Sequence, residues 1–187
     1  MSVRIRPGGP GDVPALLEMF DDAVRWLTSR GSAGQWGTRP WSEDPRRIER
    51  VRGMAAGDGL LIAEIGGAPA GAIVLTELPP AHVPSAGERE LYVDGLITAR
   101  SHTGSGVGTA LLTRARTEAR ARGIELLRVD CWAGGDGALV RYYRRQGFVP
   151  TETFDVGGWI GQVFEQRLTD HPADGGGRVS PETSTSG

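Results

Sequence analysis

The feature of this sequence with the clearest chemistry is a glycine-spaced turn between an apolar run and a helical pattern. The run from Leu96 to Thr98 leads into Gly104-Ser105-Gly106-Val107-Gly108, and Leu111 and Leu112 follow at helical spacing. The first turn of a helix leaves backbone N–H groups unpaired, and glycines let a ligand approach them closely. The turn therefore favours a phosphate or pyrophosphate ligand. The alternative is a plain strand-to-helix turn, in which glycines are needed only because the backbone adopts positive φ angles.

Composition and spacing exclude two other phosphate-binding motifs. All 21 basic residues are Arg, since the sequence has no Lys. A P-loop lysine and a Schiff-base lysine are therefore both ruled out. The glycine spacing is G-x-G-x-G, whereas dinucleotide-binding folds use G-x-G-x-x-G at the start of a βαβ unit.

A second motif follows the glycine turn after one more predicted strand, and reads DGALVRYYRRQGF from Asp136 to Phe148. The two motifs together resemble the GCN5-related N-acetyltransferase family, whose members carry Gln/Arg-x-x-Gly-x-Gly/Ala and then Asn-x-x-Ala-x-x-x-Tyr-x-x-x-Gly-Phe. Tyr143 matches the tyrosine of the second pattern. Thr103 departs from Gln/Arg, and Asp136 departs from Asn. The resemblance covers roughly residues 3 to 168.

This resemblance implies an α/β (α+β) fold with a mixed, mostly antiparallel central sheet, two splayed parallel strands and flanking helices. The apolar periodicity agrees, giving the order strand, two helices, three strands, helix, strand, helix, two strands. The splayed strands are predicted at Glu90–Thr98 and Leu126–Trp132. Residues 1–169 are predicted to form a single acetyltransferase domain. Residues 170–187, rich in Gly, Ser, Thr and Pro, are predicted to be a disordered tail.

The resemblance further implies acetyl-CoA as co-substrate. Its pantetheine arm would pair with one strand's backbone, where an N–H could stabilise the oxyanion. Arg100 near the turn either adds charge or is a solvated loop arginine. The coenzyme-binding residues expected from the strand and the two motifs are Leu96, Ile97, Thr98, Thr103, Gly104, Ser105, Gly106, Val107, Gly108, Thr109, Asp136 and Tyr143.

Two proton transfers need catalytic groups. By its motif position, Tyr143 is predicted to be the acid that protonates the leaving thiolate, although a half-buried packing role is the alternative. The candidates to take the proton of the amine are Asp94, Glu90 and Asp130, of which Asp94 and then Glu90 are favoured, and a water chain is the alternative. Alternation along an uninterrupted strand predicts one common face for these acids and their neighbours, namely Glu90, Tyr92, Asp94, Leu96 and Thr98.

The acceptor side is predicted from aromatic and polar residues near the first helix and on the second splayed strand. Trp26, Gln35, Trp36 and Asp130 are the candidate acceptor-binding residues. Aromatic rings can hold a ring or a cationic amine, while Trp26 could equally pack the helix onto the sheet. The arginines of the second predicted helix either attract an anionic acceptor or form a solvated face.

Composition bounds the class of protein. A net charge of −2 gives no general attraction to nucleic acid or to an anionic membrane surface. The single cysteine, Cys131, allows no intramolecular disulfide. No segment has the roughly 20 consecutive apolar residues of a membrane span, and the three histidines do not share metal-ligand spacing. We therefore expect a cytoplasmic protein without a metal, and the absence of Lys suggests a GC-rich bacterial source.

The sequence predicts direct transfer of an acetyl group from acetyl-CoA to a primary amine of a small molecule. Three alternatives stay open: acetylation of a protein or peptide, a non-catalytic acyl-CoA-binding sensor, and a different reaction on the same fold. Members of the family often dimerise. The apolar stretch from Trp159 to Phe164 is the candidate strand for a homodimer sheet.

Overall fold

A computed structural model describes residues 2–169, so the predicted tail at 170–187 lies outside the described residues. The strands are β1 Val3–Pro7, β2 Leu60–Ile65, β3 Ala68–Thr76, β4 Leu91–Thr98, β5 Leu126–Trp132, β6 Val149–Val156 and β7 Trp159–Arg167. The helices are α1 Val13–Ser29, α2 Pro45–Ala56, α3 Val107–Ala121 and α4 Ala138–Arg145, with 3-10 turns at Pro10–Asp12, Trp41–Glu43 and Arg100–His102.

The strands form one mixed sheet in the order β1-β2-β3-β4-β5-β7-β6, in which β4 and β5 run parallel and the other neighbours antiparallel. The parallel ladder has only three pairs, the last of which joins Val93 to Val129. Beyond this pair the two strands separate. The backbone N–H and C=O groups on their facing edges no longer form hydrogen bonds with each other. The predicted mixed sheet with two splayed parallel strands is confirmed.

Helices cover both faces of the sheet and bury two apolar clusters. On one face α3 packs through Leu111, Leu112 and Ala115, which are fully buried. On the other face α1 and α2 contribute Val24 and Val51 to a second cluster. Burying each such leucine or valine stabilises the fold by about 2 kcal/mol. The two cores hold the separated ends of β4 and β5 between them.

The expectation of one common face along β4 is wrong, because the strand contains a β-bulge. Gly95 pairs with Val74 and Val93 pairs with Leu75, so Asp94 is an extra residue without a partner in the ladder. A bulge reverses the alternation of the side chains that follow it. Leu96 consequently packs with the α3 cluster, on the same side as Val93. Ile97 packs with the cluster of α1 and α2 instead.

The strand predicted for a homodimer sheet is paired on both of its edges. β7 lies between β5 and β6, so the stretch Trp159–Phe164 has no free edge to offer a second chain. The outer strand on this side of the sheet is β6, on which Val149 and Val156 are exposed. A dimer formed by sheet extension at this side would therefore use β6.

Candidate active site

A cavity of about 1240 Å³ opens where β4 and β5 separate. Its walls come from the ends of both strands, the glycine turn, α4 and the segment after α1. Typical small-molecule sites enclose about 300–1000 Å³. The cavity is therefore large enough for a bulky coenzyme arm together with an acceptor.

The glycine turn forms one end of the cavity. Gly104 and Gly106 have φ values of 79° and 80°, a left-handed conformation that favours glycine. Gly106 precedes α3 and has no side chain to cap the helix. The N–H groups of the first turn are therefore open to an anionic ligand. Ser105 is the one residue of the predicted coenzyme loop outside the cavity lining, since its hydroxyl donates to the carbonyl of His102.

Tyr142 covers the start of α3 and was missed as a site residue by the sequence analysis. A Cβ added at Gly108 would lie 2.4 Å from the Tyr142 hydroxyl and 3.6 Å from Thr98 Oγ1. A side chain at this position would therefore displace the tyrosine. The sequence feature that could have indicated Tyr142 is the tandem Tyr142-Tyr143 in the second motif. Of these two residues, only Tyr143 matches the family pattern.

Tyr143 lines the cavity while its ring packs in the core. Its exposed fraction is 6%, and the rings of Phe148 and Phe164 lie 5.9 and 5.5 Å away. Burial raises the pKa of the Tyr143 phenol well above its ordinary value. The group therefore stays protonated at neutral pH. Among residues 2–169, no partner receives a hydrogen bond from its hydroxyl.

Two carboxylates lie at the point where β4 and β5 separate. Asp94 follows Val93 and Asp130 follows Val129, and both acids line the cavity. The hydroxyl of Tyr92 donates a hydrogen bond to Asp130. Burial raises the pKa of the Asp130 carboxyl, the hydrogen bond from Tyr92 opposes that rise, and nearby Asp94 adds to it. The separation of the strands thus holds a pair of acids where an ammonium group could bind.

Glu90 lies apart from this pair and outside the cavity lining. It is 5% exposed, and Arg128 Nη1 donates to both of its carboxylate oxygens at 3.1 Å. The same guanidinium donates to Pro84 O at 2.9 Å and to Glu152 at 3.2 Å. Burial raises the pKa of Glu90, and the charge of Arg128 opposes this. These contacts give Glu90 the role of a buried ion-pair partner.

The segment 30–40, here called the α1–α2 loop, contributes to the wall of the cavity. Trp159 Nε1 on β7 donates to the Gln35 carbonyl at 3.3 Å. A Cβ added at Gly34 would lie 2.2 Å from the Trp132 ring, so the loop backbone packs directly on that indole. The predicted residues Trp26, Gln35 and Trp36 all line the cavity. Trp132 and Trp159 also line it, although the sequence analysis did not single them out.

Metal-ligand groups, membrane-spanning helices and the single cysteine bear on what other chemistry the described residues could support. Across residues 2–169, no three His, Cys, Asp or Glu side chains are grouped to hold a metal ion. In that range no helix combines the length and apolar character needed to cross a membrane. Burial raises the pKa of the Cys131 thiol to about 12, so Cys131 is not a thiolate nucleophile at neutral pH.

Residues 19–148, well over half of the chain, match the acetyltransferase (GNAT) family. This chain belongs to that family. It is accordingly an acetyl-CoA-dependent acyltransferase, and the resemblance drawn from the two motifs is confirmed. Acetyl-CoA is its co-substrate. No curated protein matches the sequence significantly.

Solved acetyltransferases share the fold of this GNAT protein. A GNAT-family acetyltransferase from Listeria monocytogenes superimposes with a TM-score of 0.67 at 18% identity, covering 88% of this chain and 94% of the other. A putative acetyltransferase from Salmonella typhimurium, solved with acetyl-CoA, gives 0.61 at 22% identity and covers 92% and 98%. A ribosomal-protein-alanine N-acetyltransferase from Brucella melitensis gives 0.59 at 24% identity and covers 88% and 99%.

Proposed function

We propose that this GNAT enzyme transfers the acetyl group of acetyl-CoA directly to a primary amine of a small molecule. The observation that carries the proposal is the hydrogen bond that joins the α1–α2 loop at Gln35 to Trp159 on β7. An acceptor must reach the separated strands beneath this loop. A small amine fits under it, whereas the surface of a folded protein would be held away.

The coenzyme is held by backbone groups of β4 and of the glycine turn. Residues 95–98 of β4 pair with β3 on one side and have no β5 partner on the other. The free N–H and C=O groups can pair with the pantetheine amides as an added strand does. The pyrophosphate binds at the first turn of α3, where Gly106 leaves the N–H groups open.

The reaction forms one C–N bond and breaks one C–S bond. The amine nitrogen attacks the thioester carbon, and a backbone N–H of β4 stabilises the oxyanion. The C–S bond then breaks, and the coenzyme leaves as a thiolate. Tyr143 donates a hydrogen bond to that sulfur and delivers the proton that makes it a thiol. The ammonium nitrogen loses one proton to a carboxylate before it attacks and a second proton as the amide forms. One of these two protons returns to Tyr143 through water and the other is released, so the proton count balances.

The two acids at the point where β4 and β5 separate have different roles toward the amine. Asp130 is held by Tyr92 and binds the incoming ammonium by charge. Asp94 has no side-chain hydrogen bond among residues 2–169 and lines the cavity, so its carboxylate is free to accept the proton. Glu90 is committed to Arg128 and takes no part in the transfer.

Thiol release from acetyl-CoA tests this proposal with two matched panels of acceptors. One panel contains small primary amines, and the other contains folded proteins with an accessible N-terminus or lysine side chains. Turnover is expected with members of the first panel and only background with the second. Turnover confined to proteins would instead favour a protein acetyltransferase, and binding of acetyl-CoA without turnover in either panel would favour an acyl-CoA sensor.

The setting of the enzyme is also part of the proposal. A single buried cysteine suits a reducing compartment, which supports a cytoplasmic location in a bacterium. The exposed apolar residues Val149 and Val156 on the outer strand β6 support a homodimer formed at that edge. Light scattering of the purified protein would give its mass and hence its oligomeric state.

A further inference from the structure

Trp26, at the end of α1, holds two guanidinium groups on its indole. The guanidinium carbon of Arg100 lies 3.8 Å from the ring centroid, and that of Arg30 lies 4.9 Å from it. Both distances are within the range of a cation–π contact. The indole is 38% exposed, and all three residues line the large cavity. The tryptophan therefore holds two positive charges near each other at the cavity wall.

This pair of cations has no acidic partner among residues 2–169. Neither Arg30 nor Arg100 forms an ion pair there, whereas arginines such as Arg6, Arg89 and Arg167 bind carboxylates. Two like charges held close together repel each other unless an anion lies near both. Guanidinium groups that stack on an aromatic face keep their N–H edges free to donate. Two guanidinium groups in this arrangement can donate hydrogen bonds to one anion.

The two arginines lie near the glycine turn. Arg100 begins the 3-10 turn Arg100–His102, and its carbonyl accepts hydrogen bonds from Thr103 N at 3.3 Å and Thr103 Oγ1 at 3.0 Å. Thr103 is thereby engaged with the backbone and carries no charge of its own. Thr103, Gly104 and Gly106 line the same cavity as the two arginines. The glycine turn supplies N–H groups, and the arginines supply the full positive charges beside it.

We propose that Arg30 and Arg100, held on Trp26, form a phosphate subsite for coenzyme A. The inference rests on the acetyl-CoA-dependent function and adds the residues that bind the coenzyme's charged end. Planar guanidinium groups bind phosphate oxygens through paired, charge-assisted hydrogen bonds. The ligand is either the pyrophosphate or the 3′-phosphate of the coenzyme, which share this chemistry.

Calorimetric titration of single variants measures the contribution of each arginine. Arg30→Gln and Arg100→Gln are each expected to weaken coenzyme A binding about tenfold, the usual effect of losing a hydrogen bond to a charged group. Arg46→Gln is the matched control, because it removes the same charge from an exposed α2 residue outside the cavity. All three variants are expected to bind S-acetylpantetheine, which has no phosphate, as the wild type does.

A third ligand, 3′-dephospho-coenzyme A, distinguishes the two phosphates. If the subsite holds the pyrophosphate, both arginine variants weaken binding of this ligand as much as binding of coenzyme A. If it holds the 3′-phosphate, the variants bind the dephospho form as the wild type does. Either result supports the subsite and names its ligand.

Two outcomes would overturn the subsite. In one, Arg30→Gln and Arg100→Gln bind coenzyme A as tightly as Arg46→Gln does. In the other, both variants raise the KM of the acceptor and leave coenzyme binding unchanged, which would assign the cations to an anionic acceptor. Failure of the wild-type protein to bind coenzyme A at all is a separate result, because it would contradict the acyltransferase function itself.

Discussion

Asp94 and Asp130 are the first residues beyond the last pair of the parallel β4–β5 ladder, Val93 with Val129. Both acids therefore lie at the point where the hydrogen bonding between the two strands ends. The charge of Asp94 contributes to the raised pKa of Asp130, so the two carboxylates are close enough to interact. An incoming ammonium would relieve that repulsion, which is the physical basis of the proposed acceptor site.

Replacing Asp94 by Asn tests its role as the base. We expect kcat to fall on the order of 100-fold, the usual loss when a general base is removed. The KM for acetyl-CoA should change little, because Asp94 is not among the groups that we propose to hold the coenzyme. Steady-state thiol release measures both constants, and Asp22→Asn on the exposed side of α1 is the control. A kcat within twofold of wild type would assign the proton transfer to water.

Replacing Asp130 by Asn tests the link between its pKa and pH dependence. Ammonium binding needs the ionised carboxyl, so wild-type kcat/KM should fall as the pH drops through a pKa above the ordinary carboxyl value of about 3.9. In Asp130→Asn the part of this acidic limb that lies at the raised pKa should disappear from the profile, while protonation of Asp94 still reduces activity at lower pH. An unchanged limb would show that another group titrates there.

The same substitution has an opposite effect on stability. Because the pKa of Asp130 is raised in the folded state, the folded protein binds more protons than the unfolded one between the two pKa values. The free energy of unfolding therefore decreases as the pH rises through that window. Asp130→Asn removes this decrease, so its melting temperature at pH 7 should equal or exceed that of the wild type. A clearly lower value would mean that the Tyr92 hydrogen bond needs a charged acceptor.

Replacing Tyr143 by Phe removes the proposed acid and keeps the packed ring. We expect kcat to fall on the order of 100-fold while the melting temperature changes by only a few degrees, since the hydroxyl has no partner in residues 2–169. Tyr142→Phe is the matched control. Similar losses in both variants would indicate a packing or positioning role, and a loss in Tyr142→Phe alone would transfer the acid role to its neighbour.

A double-mutant cycle tests the contact between α4 and the start of α3. Gly108→Ala is expected to weaken coenzyme binding, because its Cβ would lie 2.4 Å from the Tyr142 hydroxyl. Adding Tyr142→Phe removes that oxygen and should restore much of the affinity. Gly53→Ala in α2, with open space around it, should bind coenzyme normally and gain up to about 1 kcal/mol of stability. Additive losses in the double variant would contradict a direct contact.

The buried pair of Glu90 and Arg128 gives the last prediction. Glu90→Gln leaves the guanidinium without its main partner, so the free energy of unfolding should fall by about 3 kcal/mol. The kcat of the protein that remains folded should match that of the wild type, because Glu90 does not line the cavity. Denaturant titration gives the first value and thiol release at low temperature the second. A normal stability with a lost kcat would return Glu90 to the role of base.

Sequence patterns predicted most of the elements because the signals are local. The glycine turn from Gly104 to Gly108 and the periodic leucines after it occupy one continuous stretch. Within the second motif, the helix α4 begins only after Gly137, whose φ is 73°. The prediction of a single face on β4 failed because the bulge at Asp94 depends on pairing with β3. Regular alternation cannot reveal a bulge of this kind.

By itself, the sequence determined the family, the coenzyme turn and the candidates Tyr143 and Asp94, because motif spacing and helix periodicity are properties of neighbouring residues. The tertiary structure decided which candidates meet. In the folded chain Asp94 lies near Asp130, and Glu90 forms an ion pair with Arg128. Gln35 accepts a hydrogen bond from Trp159, which is 124 positions away in the sequence. These contacts follow from strand order and register, which arise only when the whole sheet assembles and buries its two apolar faces.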